Sequence, residues 1–172
     1  PVKEVPDEIV DLTKKPLAGY PMKEIIARND VLLIIPTIEP LMEMIYEIAA
    51  QFVLASELPL EAQEGMIFAV QEAVRNAAKH GNRFDPGKVI RFRYVRDPYK
   101  VIALIEDQGP GFDYKAVLDK AKEVGRRTEE REKYIQSGEP GAGVVLMLSH
   151  VDRVEYNREG NTVILTKFRS AD

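Results

Sequence analysis

Glu72 and Asn76 stand four residues apart in the run Glu72-Ala73-Val74-Arg75-Asn76-Ala77-Ala78-Lys79-His80-Gly81-Asn82. That spacing is little more than one helical turn, so a carboxylate and a side-chain amide would share one helix face. Met66, Ile67, Val70, Ala73, Val74, Ala77 and Ala78 make an apolar arc at helical spacing, and Glu72 and Asn76 flank it. Oxygen donors where a buried stripe meets a cleft suit Mg2+, which prefers oxygen ligands, keeps several waters and shares phosphates with the protein. Taken alone, the pattern fits a solvated helix edge better. A second run, Glu106-Asp107-Gln108-Gly109-Pro110-Gly111-Phe112-Asp113, directly follows an apolar strand-like segment. Its glycines let backbone approach a ligand, and an Asp that only accepts hydrogen bonds can read an exocyclic amine such as that of adenine. An ordinary acidic turn has the same composition. A third run, Ser137-Gly138-Glu139-Pro140-Gly141-Ala142-Gly143, leads into an apolar helix, whose free N–H groups and positive dipole end form a phosphate cradle. No Gly-Lys-Ser/Thr follows, so this is not a Walker motif. By itself a flexible linker explains it better.

The elements that must position these residues are legible in outline. Residues 1–24 carry Pro1, Pro6, Pro16 and Pro21 among charges, with little periodicity, and read as an arm or partly disordered extension. Residues 31–35 are a short β-branched run ended by Pro36, hence a strand. Thr37 is placed to cap a helix carrying Leu41, Ile45, Ile48, Ala49 and Phe52, and a second helix enters at Pro59 and stops at Gly81-Asn82. Residues 89–95 and 101–106 form two strands across the turn Arg96-Asp97-Pro98-Tyr99. Residues 113–137 are charged and partly helical in pattern, a short helix opens near Gly143, and residues 151–156 and 162–168 make a last hairpin. Helices between strands followed by hairpins read as an α+β, two-layer sandwich: a mixed, mostly antiparallel sheet with helices on one face.

Composition narrows the function classes. The 172 residues suit one domain, with 45% hydrophobic and 30% charged residues. A net charge of −4 gives no basic surface for nucleic acid. No apolar run approaches the roughly 20 residues needed to cross a bilayer, and no export signal opens the chain, so the cytoplasm is the default compartment. Zero cysteines exclude disulfides and thiolate metal sites. His80 and His150 have no acidic or cysteine partners at ligand spacing and read as structural.

The order of the three runs adds what none carries alone. Glu-x-x-x-Asn on a helix, then Asp-x-Gly-x-Gly after a strand, then Gly-x-Gly opening a helix, resembles the N, G1 and G2 boxes of the GHKL (Bergerat fold) ATPase and kinase superfamily. The resemblance covers about residues 30–168, which leaves residues 25–172 as one ATP-binding domain behind the arm. Within the superfamily the chain is most similar to the anti-sigma factor serine/threonine kinases, by its compact length, the Glu72-to-Gly81 wording and the closing strand Thr162-Val163-Ile164-Leu165-Thr166-Lys167-Phe168. The resemblance implies that Asn76 ligates Mg2+ on the phosphates of ATP and that Glu72 is the general base. It implies that Asp107 binds the adenine amino group with help from Thr166, and that Gly109 and Gly111 shape the adenine and ribose wall. Gly141 and Gly143 would line the triphosphate. Residues 113–140 would be a mobile lid, from which Arg126, Arg127 or Arg131 could reach the γ-phosphate. The implied partners are an antagonist (anti-anti-sigma type) protein, a sigma factor or similar regulator, and an optional second copy of the chain.

Arg75, the long charged lid and the arm depart from the family pattern. No phosphoacceptor-histidine helix pair stands ahead of the domain, which argues against a self-contained sensor histidine kinase. A kinase acting on Ser or Thr is the leading expectation, because an intact Glu72 is of no use to a pure binding module. The alternatives are a nucleotide-gated protein-binding module and a histidine-kinase catalytic domain working in trans.

Overall fold

The computed structural model describes residues 2–126 and 128–169. Its strands are β1 (Glu8–Asp11), β2 (Asp30–Pro36), β3 (Val89–Arg96), β4 (Lys100–Glu106), β5 (Arg153–Tyr156) and β6 (Thr162–Phe168). They form one sheet in the order β1-β2-β3-β4-β6-β5, antiparallel throughout except for the parallel β1–β2 pair. Alternation along the strands sends one set of side chains to the core: Val31, Leu33 and Ile35 of β2, Phe92 and Tyr94 of β3, Ala103 and Ile105 of β4, Leu165 of β6. The helices α1 (Met22–Ile26), α2 (Glu39–Leu54), α3 (Leu60–Asn76), α4 (Tyr114–Gly125), α5 (Thr128–Ser137) and α6 (Ala142–His150) complete the fold. Phe52 of α2 meets Phe92 edge-on at 6.3 Å between ring centroids and Tyr94 at 5.3 Å, which ties the helical layer to the sheet. The two-layer α+β sandwich expected from the sequence is the architecture found.

The N-terminal segment departs from expectation. Residues 8–11 are strand β1 and pair with residues 31–34, and the Tyr20 hydroxyl both accepts from the Asp11 N–H and donates to its carbonyl. A four-residue edge strand has too little alternation to be read locally, and its stability comes from its neighbour. This segment extends the sheet rather than forming a separate arm.

Thr37 does not cap α2, whose N-cap is Ile38. Its hydroxyl donates to the Lys88 carbonyl and accepts from the side-chain amide of Asn82, which is fully buried. The end of α3 also differs from a simple stop. The chain continues past Asn76 as one wide π-type turn, Ala77–Gly81, before leaving the helix. Such turns rotate a helix face relative to the downstream chain, and they occur often at functional sites. Among the described residues, no helix is long and apolar enough to cross a membrane.

Candidate functional site

Helix α3, its π-type turn, the loop after β4, the Gly138–Gly143 stretch and the turn between β5 and β6 enclose a cavity of about 750 Å³. That volume lies within the range of small-ligand sites. Glu72, Asn76, Asp107, Gly111, Gly141 and Gly143, drawn from three separate runs of sequence, all line it.

One end of the cavity is built around Asp107. A side chain at Gly81 would put its first carbon 2.2 Å from the Asp107 carboxyl carbon, so only glycine lets the α3 terminus come this close. Asn82 fixes the relation of the two segments. Its amide donates to Thr37 Oγ1 (2.8 Å) and the Val89 carbonyl (2.9 Å), and its oxygen accepts from the Gln108 N–H at 2.7 Å. The Gly109 N–H donates to Asp107 Oδ1 at 2.8 Å, which leaves the other carboxylate oxygen without a hydrogen bond among the described residues. Burial raises the carboxyl pKa above its ordinary value, the Gly109 bond opposes that shift, and the nearby Glu106 charge adds to it. Gly109 itself does not line the cavity; it supports Asp107 from behind.

The wall beside Asp107 comes from the last hairpin. The Asp107 N–H donates to the Asn161 carbonyl at 2.9 Å, and Asn161 and Val163 both face the cavity. Gly111, at φ 75°, passes so close to the Glu159 carbonyl that no Cβ fits there. Phe112 and Tyr114 pack on Tyr156, at 5.1 and 5.5 Å between ring centroids. Burial, and secondarily the Glu72 charge, push the Tyr156 phenol pKa up, so that it stays protonated at all ordinary pH.

The other end is where α3 meets α6. A Cβ on Gly143 would lie 2.4 Å from Glu72 Oε1 and 3.1 Å from Asn76 Nδ2, so three residues expected to act together converge on one point. Gly141 precedes α6 at φ 92°, a left-handed conformation; the Ala142 and Val144 N–H groups donate to the Glu139 and Gly141 carbonyls, and those of Gly141 and Gly143 have no hydrogen-bond partner among the described residues. The Tyr134 hydroxyl donates to the Pro140 carbonyl at 2.5 Å, tying α5 to this glycine loop. Residues 113–140 are therefore mostly helical, with α4 and α5 both packed against α6. Among the described residues, no three His, Cys, Asp or Glu side chains gather as a metal cage. Asn76 offers a side-chain amide beside the glycine loop, its Nδ2 turned to Gly143, and its neutral oxygen suits a Mg2+ ion that takes its remaining ligands from phosphate and water.

Three expectations need correction. Thr166 does not reach the cavity: it pairs with Ile102 on β4 and Arg153 on β5, five residues along β4 from Asp107. The residue of that strand end that does lie beside Asp107 is Asn161, which reads locally as a turn former and is revealed only by strand register. Arg126 and Arg131 do not line the cavity, and Arg127 lies outside the described residues; the basic residues on its wall are Arg75, Lys79 and His80. His80, expected to be structural, is exposed on that wall. His150 is packed on the Phe68 ring at 5.8 Å, and burial, with the Arg131 and Lys167 charges, lowers its pKa, as suits a neutral packing role.

Residues 37–167 match the family model of the histidine kinase-like ATPase domain. The chain belongs to this family. The match spans every cavity-lining element and leaves β1, α1 and β2 outside. No curated protein matches the chain. A histidine kinase-like ATPase domain binds ATP, generally with Mg2+, and serves ATPases and kinases alike; its fold and cavity account for the ATP-binding, kinase-like character of this chain.

Proposed function

We propose that this histidine kinase-like ATPase domain is a protein kinase that transfers the γ-phosphate of ATP to a serine or threonine of an antagonist protein. In the same reading it acts as an anti-sigma-type regulator, binding a sigma factor or similar partner when the antagonist is absent, alone or as a homodimer. The observation that carries the reading is Glu72. Its carboxylate sits inside the cavity beside Asn76 and Gly143, at the end away from Asp107.

The chemistry follows from these positions. The unbonded oxygen of Asp107 accepts from the 6-amino group of adenine, and the Asn161 segment closes that end. The Gly141 and Gly143 N–H groups, without a partner among the described residues, and the positive end of α6 offer themselves to the phosphates. Mg2+, where bound, would take the Asn76 oxygen and neutralise phosphate charge. Glu72 orients the incoming hydroxyl and accepts its proton. The hydroxyl oxygen forms its bond to the γ-phosphorus while the bond to the β–γ bridging oxygen breaks and ADP leaves. α4 and α5, packed on α6 and tied to the glycine loop by the Tyr134–Pro140 bond, would exclude water when they close on the nucleotide.

Labelled ATP, incubated with the protein and candidate antagonists encoded beside it, tests this directly. Transfer to a Ser or Thr hydroxyl that disappears in Glu72→Gln is the expected outcome. A wild type that binds ATP and a partner but labels nothing would replace the kinase with a nucleotide-gated binding module. Label on histidine would make the protein a histidine-kinase catalytic domain acting in trans.

A further inference from the structure

Arg75 stands directly before Asn76 on α3 and lines the cavity. Its guanidinium lies 3.1 Å from Glu72 Oε2, one helical turn back. The two partners are unequal in setting: the Glu72 side chain is 13% exposed and that of Arg75 is 58% exposed. Glu72 is thus held from two sides, by Gly143 against Oε1 and by Arg75 against Oε2. Beyond this pair, the guanidinium N–H groups of Arg75 have no partner among the described residues.

The position along α3 says which part of a nucleotide Arg75 would meet. Gly81 touches the Asp107 carboxylate, which marks the base end. Glu72 lies nine residues earlier, which at helical rise is roughly 13 Å away. A ligand seated on Asp107 and running along α3 therefore presents its last phosphate, not its first, to the Glu72–Arg75 pair. An exposed ion pair one turn apart is weak and easily exchanged. A phosphate offers the same guanidinium a bidentate, charge-assisted alternative. Lys79, the other lysine or arginine on the cavity wall among the described residues, and His80 sit beside Gly81 at the base end.

We propose that Arg75 is the residue by which this cavity distinguishes a nucleoside triphosphate from a diphosphate. It holds Glu72 in the nucleotide-free protein and exchanges that carboxylate for the terminal phosphate, which leaves Glu72 to the incoming hydroxyl. This rests on the ATP-site reading of the cavity but not on the identity of the phosphate acceptor.

Calorimetric titration of Mg2+ with a non-hydrolysable ATP analogue, and separately with ADP, tests it on wild type, Arg75→Ala, Arg75→Gln and Arg75→Lys. Arg75→Ala and Arg75→Gln are expected to lose about tenfold in affinity for the triphosphate analogue, with ADP affinity changed by less than about twofold. Arg75→Lys should recover part of the loss, because it keeps the charge without the bidentate geometry. Equal weakening of both nucleotides, or no change in either, overturns the proposal while the ATP-site reading stands. A wild type that binds neither nucleotide overturns both.

Discussion

Glu72 Oε1 and Gly143 are in such contact that a methyl group on Gly143 would come within 2.4 Å of the oxygen. The relation joins helix α3 to the first turn of α6 and places the proposed base at the glycine-loop end of the cavity. It also separates function from stability. Gly143 lies in α6 without a positive φ, so alanine there suits the helix. The atom it displaces is the far end of a flexible side chain. Gly143→Ala is therefore expected to leave the thermal midpoint unchanged or slightly raised, while phosphotransfer falls on the order of a hundredfold as Glu72 is pushed aside. Paired melting curves and initial rates check this; a loss of stability with normal transfer would contradict it.

Asp107 makes a pH-dependent prediction. Burial raises its folded-state pKa above the unfolded value of 3.8. Between those two values the folded protein holds more protons than the unfolded chain, so stability falls as pH rises through that window. At neutral pH the ionised carboxylate is a net cost to the nucleotide-free fold. Asp107→Asn keeps an acceptor for the Gly109 N–H and removes that cost. The variant is expected to melt above wild type at pH 7, with the gap closing as pH falls below 3.8. It should also lose roughly ten- to a hundredfold in preference for ATP over GTP, because its second polar atom becomes a donor. A lower melting point at pH 7, or unchanged base preference in competition binding, would remove Asp107 from this role.

The lid helices are expected to be held by one side-chain bond that can be removed without touching the core. Tyr134 is half-buried, and its hydroxyl donates to Pro140. Tyr134→Phe deletes a bond worth about 1 kcal/mol, or about fivefold in local opening. Limited tryptic cleavage after Arg126 or Arg131 should speed up several-fold in the nucleotide-free variant. Adding Mg·ATP should slow cleavage in wild type; identical rates with and without nucleotide would count against a closing lid.

The sequence made some of this legible because some of the physics is local. The runs Val31–Ile35 and Thr162–Phe168 carry enough β-branched residues to read as strands, and both are strands. The arc from Met66 to Ala78 faces the core along its length. What escaped depends on partners far along the chain. Asn82 and Thr37 satisfy each other across 45 residues, so Thr37 looked free to cap a helix. Thr166 lies at the end of its strand away from Asp107, and that register, set by pairing Glu106 with Thr162, is invisible in one strand alone. The same register brings in Asn161. Strand β1 exists only because residues 31–34 offer it a hydrogen-bonding edge. The three runs around Glu72, Asp107 and Gly141 are legible as composition, but their convergence on one cavity is tertiary.

A Mg·ATP site in this cavity would hold the base on Asp107 and the metal on Asn76. Titration calorimetry of Mg·ATP into wild type, Asn76→Ala and Asp107→Ala tests it most directly. One-to-one saturable binding to wild type is expected. Asn76→Ala should lose roughly a hundredfold or more, since it removes a ligand rather than an outer-sphere support, and the dependence on Mg2+ should vanish with it. Asp107→Ala should weaken ATP and leave inorganic triphosphate unaffected. Wild-type affinity retained in Asn76→Ala and Asp107→Ala, or no binding by the wild type, would contradict this assignment.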